Sequence, residues 1–400
     1  MAGLQPATVL RRAGELEVLV TAAGDVLVAT DHGLVSGGPH CLAILDLFGE
    51  PTTLGDALET LGHRTGGGQD WIDLSAAVVR LAEAGVLLPG DEAEGGREAR
   101  SSFDSPGPHV AMLEDRARTS AFLAALDELV RPDDVVVEIG TGTGVLSLGA
   151  ARAGARHVYA IEATPLAHHA RKVAEANGLG DRISVVQGWS TRVSLPERGT
   201  LGVAEILGSE ALEERALPVL LDARKRLLAP DARLIPSVVR IYGVPVSIPA
   251  ERVDMLAFTA ANTARWSSWY GLELGPLTEY AARLRHRFTV SPEEMREWPA
   301  LSDPVLLAEL DLRALDTPRL ELVASGTATA SGGANGTVGF FEAELSPGVS
   351  ISTDPAGEGR PTSWGVPVWL VPEAVELRRG REFSLAYEYT GAAGRIRLVP

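Results

Sequence analysis

The sequence predicts an α/β chain: a parallel sheet wound on both faces by helices, preceded by a small α+β module and followed by an all-β domain. Three observations lead there. Residues Val135–Val145 read Val-Val-Val-Glu-Ile-Gly-Thr-Gly-Thr-Gly-Val, a short apolar strand that runs into alternating glycines. Its β-branched residues suit burial on both faces, and glycines let a chain turn tightly against a ligand. From Val238 onward, short runs alternate apolar and polar residues, the period of strands with one face on a core. Ahead of residue 92, a strand pair gives way to helical spacing.

The stretch after the glycines, Leu146–Ala151 and on to Gly154, is rich in small residues and reads as a helix. A glycine loop between strand and helix is where backbone N–H groups meet an anionic or nucleoside ligand. The spacing Gly140, Gly142, Gly144 departs from the Gly-x-Gly-x-x-Gly of dinucleotide folds and argues against a pyrophosphate. A second strand, His157–Ile161, ends in Glu162, placed to accept hydrogen bonds from both ribose hydroxyls of a nucleoside. A structural turn beside an exposed acid would explain either feature alone. Together in one β-α-β unit they resemble the cofactor half of a Rossmann-like, class I, S-adenosylmethionine-dependent methyltransferase.

Four hundred residues suggest two or three domains. No stretch approaches a membrane span, and Arg11 and Arg12 are not followed by an apolar signal core, so a cytoplasmic protein is expected. The single Cys41 excludes a disulfide framework and multi-thiolate metal clusters. His168 and His169 are adjacent and cannot share a helix face, so no metal is expected. The formal charge of −17 repels phosphate backbones and argues against nucleic acid, while it suits cationic or neutral targets and also serves solubility.

Residues 1–92 form the first module. Glu15–Val20 and Asp25–Thr30 flank Ala22-Ala23-Gly24 and read as a β-hairpin. Helical spacing follows at Cys41, Leu42, Ile44, Leu45, Leu47 and Phe48. Thr53 caps a second helix through Leu61, and a third begins at Asp73 or Ser75, runs through Ala84 and is closed by Gly85 and a Val86-Leu87-Leu88 strand. This is a winged-helix arrangement, but thirteen Asp and Glu against four Arg over residues 1–92 oppose its use on DNA. The order of elements resembles the precursor-peptide recognition domains of ribosomal peptide natural-product pathways, in which a leader peptide adds a strand to the hairpin edge beside the third helix. A structural or dimerising module is the alternative. Asp91–Ser105, rich in Gly, Glu, Ser and Arg, reads as part of a linker over residues 93–108.

From His109 a helix is expected on which Asp115, Arg118 and Phe122 share a face. Arg118 would then either fork onto a cofactor carboxylate or pair with Asp115 at the surface. Glu205 follows an expected strand, Leu201–Ala204, at the end where doubly wound folds place their chemistry. Glu210 and Glu213 read as a solvated helix face.

The segment His109-Val-Ala-Met112-Leu113-Glu-Asp115-Arg-Ala-Arg118-Thr-Ser-Ala-Phe122 resembles the signature of the protein arginine methyltransferases, and the resemblance continues to the C-terminus. It implies a Rossmann-like domain at 109–236 and a β-barrel at 237–400, joined through Leu234-Ile235-Pro236, with a dimerisation arm near 251–277 that carries Trp266, Trp269 and Tyr270; an aromatic core is the alternative for those three. It implies that His109, Met112, Asp115, Arg118, Glu138, Gly140, Thr141, Gly142, Gly144, Glu162, Ala163, Gly188, Ser190, Thr191 and Glu205 hold S-adenosylmethionine. Thr191 stands where the family has an acid at the adenine. The stretch Ala204–Pro218 aligns with the double-glutamate loop, making Glu205 and Glu214 the catalytic and acceptor-binding acids. The Thr-His-Trp loop corresponds to Thr362-Ser363-Trp364, after Pro361, so Ser363 and Trp364 line the acceptor pocket with a serine in place of the histidine.

Leader reader and methyltransferase core together resemble the daptide-type enzymes of ribosomal peptide tailoring. The resulting expectation is a homodimeric N-methyltransferase that dimethylates a C-terminal amine of a leader-bound precursor, leaves S-adenosylhomocysteine as product, and works beside other enzymes of its pathway. Methylation of protein guanidinium groups, O-methylation of a peptide carboxylate, and a non-catalytic cofactor-binding scaffold are the alternatives.

Overall fold

The computed structural model describes residues 5–13, 16, 18–21, 26–30, 33–49, 51–62, 67–89, 105–279, 287–359 and 363–399. The chain divides into two compact units, Met1–Phe103 and Asp104–Pro400. The smaller holds strands β1 (Val9–Arg12), β2 (Val18–Val20), β3 (Val26–Thr30) and β4 (Gly33–Ser36), helix α1 (Cys41–Leu47), strand β5 (Thr52–Thr53), helices α2 (Leu54–Gly62) and α3 (Gly68–Glu83), and strand β6 (Leu87–Pro89). The expected hairpin is the β2–β3 pair, extended by β4 into a three-stranded antiparallel sheet; Glu15, Asp25 and the turn Ala22–Gly24 lie outside the described residues, as do residues 93–104 of the linker. A second sheet pairs β1 with β5 and β6. Leu10, Val28, Ile44, Phe48, Leu74, Val78 and Leu81 fill the core.

Thr53 caps α2 as its position suggests, its hydroxyl accepting the Asp56 N–H at 3.1 Å. Helix α3 begins at Gly68, ahead of the expected Asp73 or Ser75. Packing overrides the glycine-rich approach: Trp71 lies so close over α2 that a Cβ on Gly62 would meet its ring at 2.6 Å, and the extra turn carries Trp71 there.

The larger unit opens with α4 (Pro106–Glu114) and α5 (Arg116–Leu129), then alternates β7 (Val135–Ile139), α6 (Val145–Arg152), β8 (His157–Glu162), α7 (Leu166–Ala176), β9 (Ile183–Gln187), β10 (Gly199–Ala204), α8 (Ala216–Arg226) and β11 (Leu228–Ile235). These strands form a parallel sheet in the order β11-β10-β7-β8-β9. Strand order reverses between β7 and β10, and such a switch point opens a crevice at the strands' carboxyl ends. The single helix expected across His109–Phe122 is two: the chain breaks at Asp115 (φ −76, ψ 82), whose carboxylate accepts the Arg118 N–H and caps α5. Asp115 therefore precedes the face that carries Arg118 and Phe122.

Strand β12 (Val238–Val246) starts the all-β part. Helices α9 (Ala250–Leu256) and α10 (Ala260–Tyr270) follow, then β13 (Arg287–Val290), α11 (Pro292–Arg296), β14 (Val305–Asp311), β15 (Leu320–Thr327), β16 (Gly332–Ser346), β17 (Val349–Ser352), β18 (Val366–Leu377), β19 (Glu382–Tyr389) and β20 (Gly394–Val399). One sheet runs β13-β18-β16-β12-β14 with β17 on β16, the other β15-β19-β20, all antiparallel. Together they make a β-barrel domain whose Phe341, Leu385, Tyr387 and Leu398 share one core with the parallel sheet. Strands β13 and β17, at four residues each, are too short to carry a period.

Phe122 of α5 is fully buried in the core. Phe122→Ala should therefore destabilise the larger unit by about 3–5 kcal/mol, read as a lowered unfolding midpoint in chemical denaturation of the full chain.

Candidate active site

The crevice is built from strand ends. Ala204 pairs with Ile139 and Ile139 with Ile161, so Glu205, Gly140 and Glu162 emerge side by side. Gly140, Gly142 and Gly144 all have positive φ (76°, 53° and 87°), which L side chains resist. The loop is tied across the sheet: Gly140 and Thr141 donate backbone N–H bonds to the Ile161 carbonyl at 2.9 and 3.0 Å. Gly142 N–H reaches one Glu162 carboxylate oxygen and Thr164 N–H the other, each at 2.8 Å. Each oxygen keeps a further lone pair for a ligand hydroxyl. On the far side, Gly188 N–H bonds the Glu162 carbonyl at 2.9 Å, and buried Ser190 follows, its carbonyl held by Arg226 at 2.6 Å. Ala163 is half-buried and Thr191 exposed.

Above the loop sits α4. A Cβ on Gly142 would stand 3.5 Å from His109 Nδ1, so the imidazole roofs the glycines. The Met112 carbonyl accepts from Arg118 Nη1 at 3.0 Å. Arg118 is buried, and its Nη2 donates to Glu205 Oε2 across the crevice. The Arg118 side chain is thus turned into the crevice onto Glu205, and Asp115 accepts the backbone N–H and hydroxyl of Ser363, both at 2.8 Å. Next to it, Trp364 Nε1 donates to the Leu207 carbonyl at 2.7 Å, and its ring lies 5.8 Å from the Arg118 guanidinium. Pro361 and Thr362 lie outside the described residues.

Buried Glu138, under the loop, accepts hydroxyl bonds from Thr141 at 2.6 Å and from Ser147. Burial nevertheless pushes its carboxyl up to about 7, helped by the nearby charge of Glu162. Burial also holds Glu205 up at about 7, outweighing Arg118, with Glu138 and Asp115 adding repulsion. Glu214 stands at φ +61°. Although the residue is exposed overall, desolvation of its carboxyl and repulsion from Glu205 and Glu213 raise it to about 7. No hydrogen bond or ion pair reaches its carboxylate among the described residues, whereas Glu205 has Arg118. The solvated face expected for Glu210 and Glu213 is corrected. Glu210 is only 4 % exposed, because the loop folds under β20 and its carboxylate accepts the Gly394 N–H; Glu213 pairs with Arg287 of β13. Sequence reasoning missed Ser147, whose only signal was a hydroxyl in an otherwise apolar small-residue stretch, and Arg287, which carried none.

The crevice fits S-adenosylmethionine. A side chain on Gly140 would meet Ile206 at 3.1 Å, so the loop stays bare for a ligand. Arg118 Nε is buried without a hydrogen-bond partner among the described residues, a donor available to a carboxylate.

Residues 115–239 match the family model of ribosomal protein L11 methyltransferase (PrmA). The chain is 30% identical over 300 residues to the arginine N(omega)-methyltransferase of Streptomyces achromogenes subsp. streptozoticus, covering 73% of this chain and 78% of that protein. It is 30% identical over 222 residues to a probable protein arginine N-methyltransferase 6 of Arabidopsis thaliana, covering 54% of this chain but 49% of that one, about half its length. In fold it is similar to a PRMT1 enzyme–prozyme heterotetrameric complex of Trypanosoma brucei solved with AdoHcy, at a TM-score of 0.63 and 22% identity over 75% of this chain and 100% of that one. The chain belongs to the S-adenosylmethionine-dependent methyltransferases of the arginine N-methyltransferase family.

Four carboxyls raised from 4.5 to about 7 set the pH dependence of the ligand-free protein: Glu138, Glu205, Glu210 and Glu214. Between those values the folded state binds more protons than the unfolded chain, so stability falls as pH rises through that window. Asp134, which is lowered, opposes this at more acidic pH, and His157, lowered from 6.5 by burial, offsets part of it just below 6.5. A thermal-shift series from pH 5 to 8 (about one reading per half unit) should show a falling melting temperature. Glu205→Gln should flatten that slope.

Proposed function

We propose that this protein N-methylates an amine of a ribosomally made peptide whose leader is held by the N-terminal unit. The observation that carries the acceptor chemistry is Glu214, without a partner among the described residues, beside the Arg118-neutralised Glu205, which leaves a site with surplus negative charge for a cationic nitrogen. Arg118, Glu162, the Gly140–Gly144 loop, His109, Met112, Asp115, Glu138, Ala163, Gly188, Ser190 and Thr191 are the residues proposed to hold the cofactor. When bound, S-adenosylmethionine supplies an electrophilic methyl group.

An acceptor reaching the site as ammonium docks on Glu214 and must give up its proton, to Glu214, to Glu205 or to water beside them. Carboxyls near 7 suit that exchange at neutral pH. The freed lone pair is oriented by both acids, which also stabilise positive charge on nitrogen as the new bond forms. Alignment supplies most of the acceleration, since no covalent enzyme intermediate is needed.

The smaller unit supports the peptide part of this reading. Strand β4 ends its sheet, and α3 packs beside it. Trp71, Ile72 and Val79 of α3 are exposed at 38%, 59% and 42% and line a shallow apolar groove of about 550 Å³ with Ser75, Ala76 and Arg80. An extended leader could pair its backbone with β4 and seat alternate apolar side chains on α3. Tethering would raise the local concentration of a weakly held core residue for two successive transfers. Met255, Trp269, Tyr270 and Leu272 of the arm are exposed at 74%, 62%, 64% and 59%, which favours a second copy of this chain as partner rather than an aromatic core.

A guanidinium acceptor is the second reading. It is favoured by the Streptomyces relative named as an arginine N(omega)-methyltransferase. Mass spectrometry of the purified protein with cofactor and a precursor peptide, the same peptide without leader, a Gly-Arg-rich peptide or free arginine separates the two. Gain of one or two methyl groups on a leader-bearing amine is expected. Methylation of arginine alone transfers the assignment to guanidinium, a methyl ester to O-methylation, and cofactor binding without any transfer to a scaffold.

Glu205→Gln should lower turnover by about 100-fold or more while S-adenosylhomocysteine affinity in calorimetry stays nearly intact; unchanged turnover refutes its role. Trp71→Ala with Ile72→Asp should raise KM about tenfold for the leader-bearing peptide and leave a leaderless one unaffected.

A further inference from the structure

The loop from Glu205 to Arg215 holds four carboxylates, Glu205, Glu210, Glu213 and Glu214. It also holds three non-glycine residues at positive φ, Ala211, Glu214 and Arg215, a conformation that persists only where surroundings impose it. Two of the four acids tie it to the barrel. Glu213 pairs with Arg287 Nη1, and that same nitrogen lies 3.9 Å from Glu210 Oε2. The other Glu210 oxygen accepts the Gly394 N–H of β20.

This anchor is partly buried and incompletely satisfied. Glu210 Oε2, Arg287 Nε, Tyr387 Oη and Tyr389 Oη all lack a hydrogen-bond partner among the described residues. A Cβ on Gly394 would stand 3.0 Å from both Glu210 Oε2 and Tyr387 Oη, so these atoms close on one spot. Arg287 also lies over the Trp369 ring at 6.0 Å. Removing its charge would leave Glu210 and Glu213 facing each other in a partly dry place, where uncompensated carboxylates are costly. Glu214 is the next residue, and it already feels Glu213.

We propose that Arg287 is a positioning residue for the acceptor site: through Glu213 and Glu210 it clasps the acidic loop to the barrel and so fixes Glu214 in its left-handed conformation facing the acceptor. Arg287 does not touch the acceptor itself. The inference rests on the proposed role of Glu214 in acceptor binding, and it gives the barrel a direct part in that site.

Loop order can be read without an acceptor, so the first measurement is amide hydrogen exchange over residues 205–216 in the full chain with S-adenosylhomocysteine bound. Arg287→Gln should speed exchange there about tenfold or more, Arg287→Lys should restore most of the protection, and S-adenosylhomocysteine affinity should stay within about threefold. Unchanged exchange in Arg287→Gln overturns the proposal. In methyl transfer to whichever peptide or arginine substrate the wild type accepts, Arg287→Gln should lower kcat about tenfold and move the acid limb of the pH profile upward, because Glu213 loses its counter-charge beside Glu214; Arg287→Lys should rescue both. Equal profiles in the two proteins also overturn it. If the wild type transfers no methyl group at all, the acceptor reading fails while the exchange result still decides the clasp.

Discussion

The ion pair between Arg118 and Glu205 is the constraint on which the rest of the site depends. Both side chains are about 9 % exposed, and each would be costly alone in so dry a place, since desolvation outweighs what a single buried charge recovers. For Arg118 to reach Glu205, α5 has to start where it does. The chain therefore breaks at Asp115, which satisfies the new helix end with its own carboxylate. The remaining oxygen of Asp115 then fastens Ser363, and Trp364 beside it fastens the carbonyl of Leu207, two residues past Glu205. One buried charge pair thus fixes the helix, the end of β10 and a loop of the barrel against one another.

The same pair explains the electrostatics. The carboxyl ends of parallel strands gather Glu138, Glu162 and Glu205, and a fourth acid, Glu214, comes in from the loop beyond β10. With one guanidinium among them, and two hydroxyls and two backbone N–H groups to share, not all can ionise cheaply. Three of them are held near neutrality. A cluster poised there gains from any positive charge brought to it, which is the property needed by a site that joins a sulfonium donor to a basic nitrogen.

Where local chemistry specified the structure, the sequence disclosed it. Val135–Gly144 combines a buried strand with glycines that need positive φ, and His157–Glu162 ends in an acid whose place follows from strand length. Val238–Val246 reads as a strand with the bounds it has, because one face is buried for its whole length. What failed to show was set by distant partners. The second oxygen of Asp115 is taken by Ser363, 248 residues away; the early start of α3 depends on Trp71 packing over Gly62. The burial of Glu210 depends on the backbone of Gly394, 184 residues on. Glu210 and Glu213 look solvated in one dimension, and only the barrel's return turns them into anchors of the loop. Arg287 lies in a four-residue strand with no period of its own, so nothing nearby announced its partners.

The bonds that Ser363 makes narrow the acceptor chemistry that the proposed reading allows. Ser363 spends both its backbone N–H and its hydroxyl on Asp115, which maintains the tie between barrel and helix but leaves no donor from that residue for an acceptor. Glu205 is likewise engaged by Arg118. In the proposed reading, recognition of the incoming nitrogen then falls mainly to Glu214, whose carboxylate meets no hydrogen bond or ion pair among the described residues. A planar guanidinium is best held by matched, two-point contacts, whereas an ammonium is a compact point charge with rotatable donors that one carboxylate can hold. On charge geometry alone, the site asks less of an amine than of a guanidinium, and that asymmetry is what favours the amine in the proposed assignment.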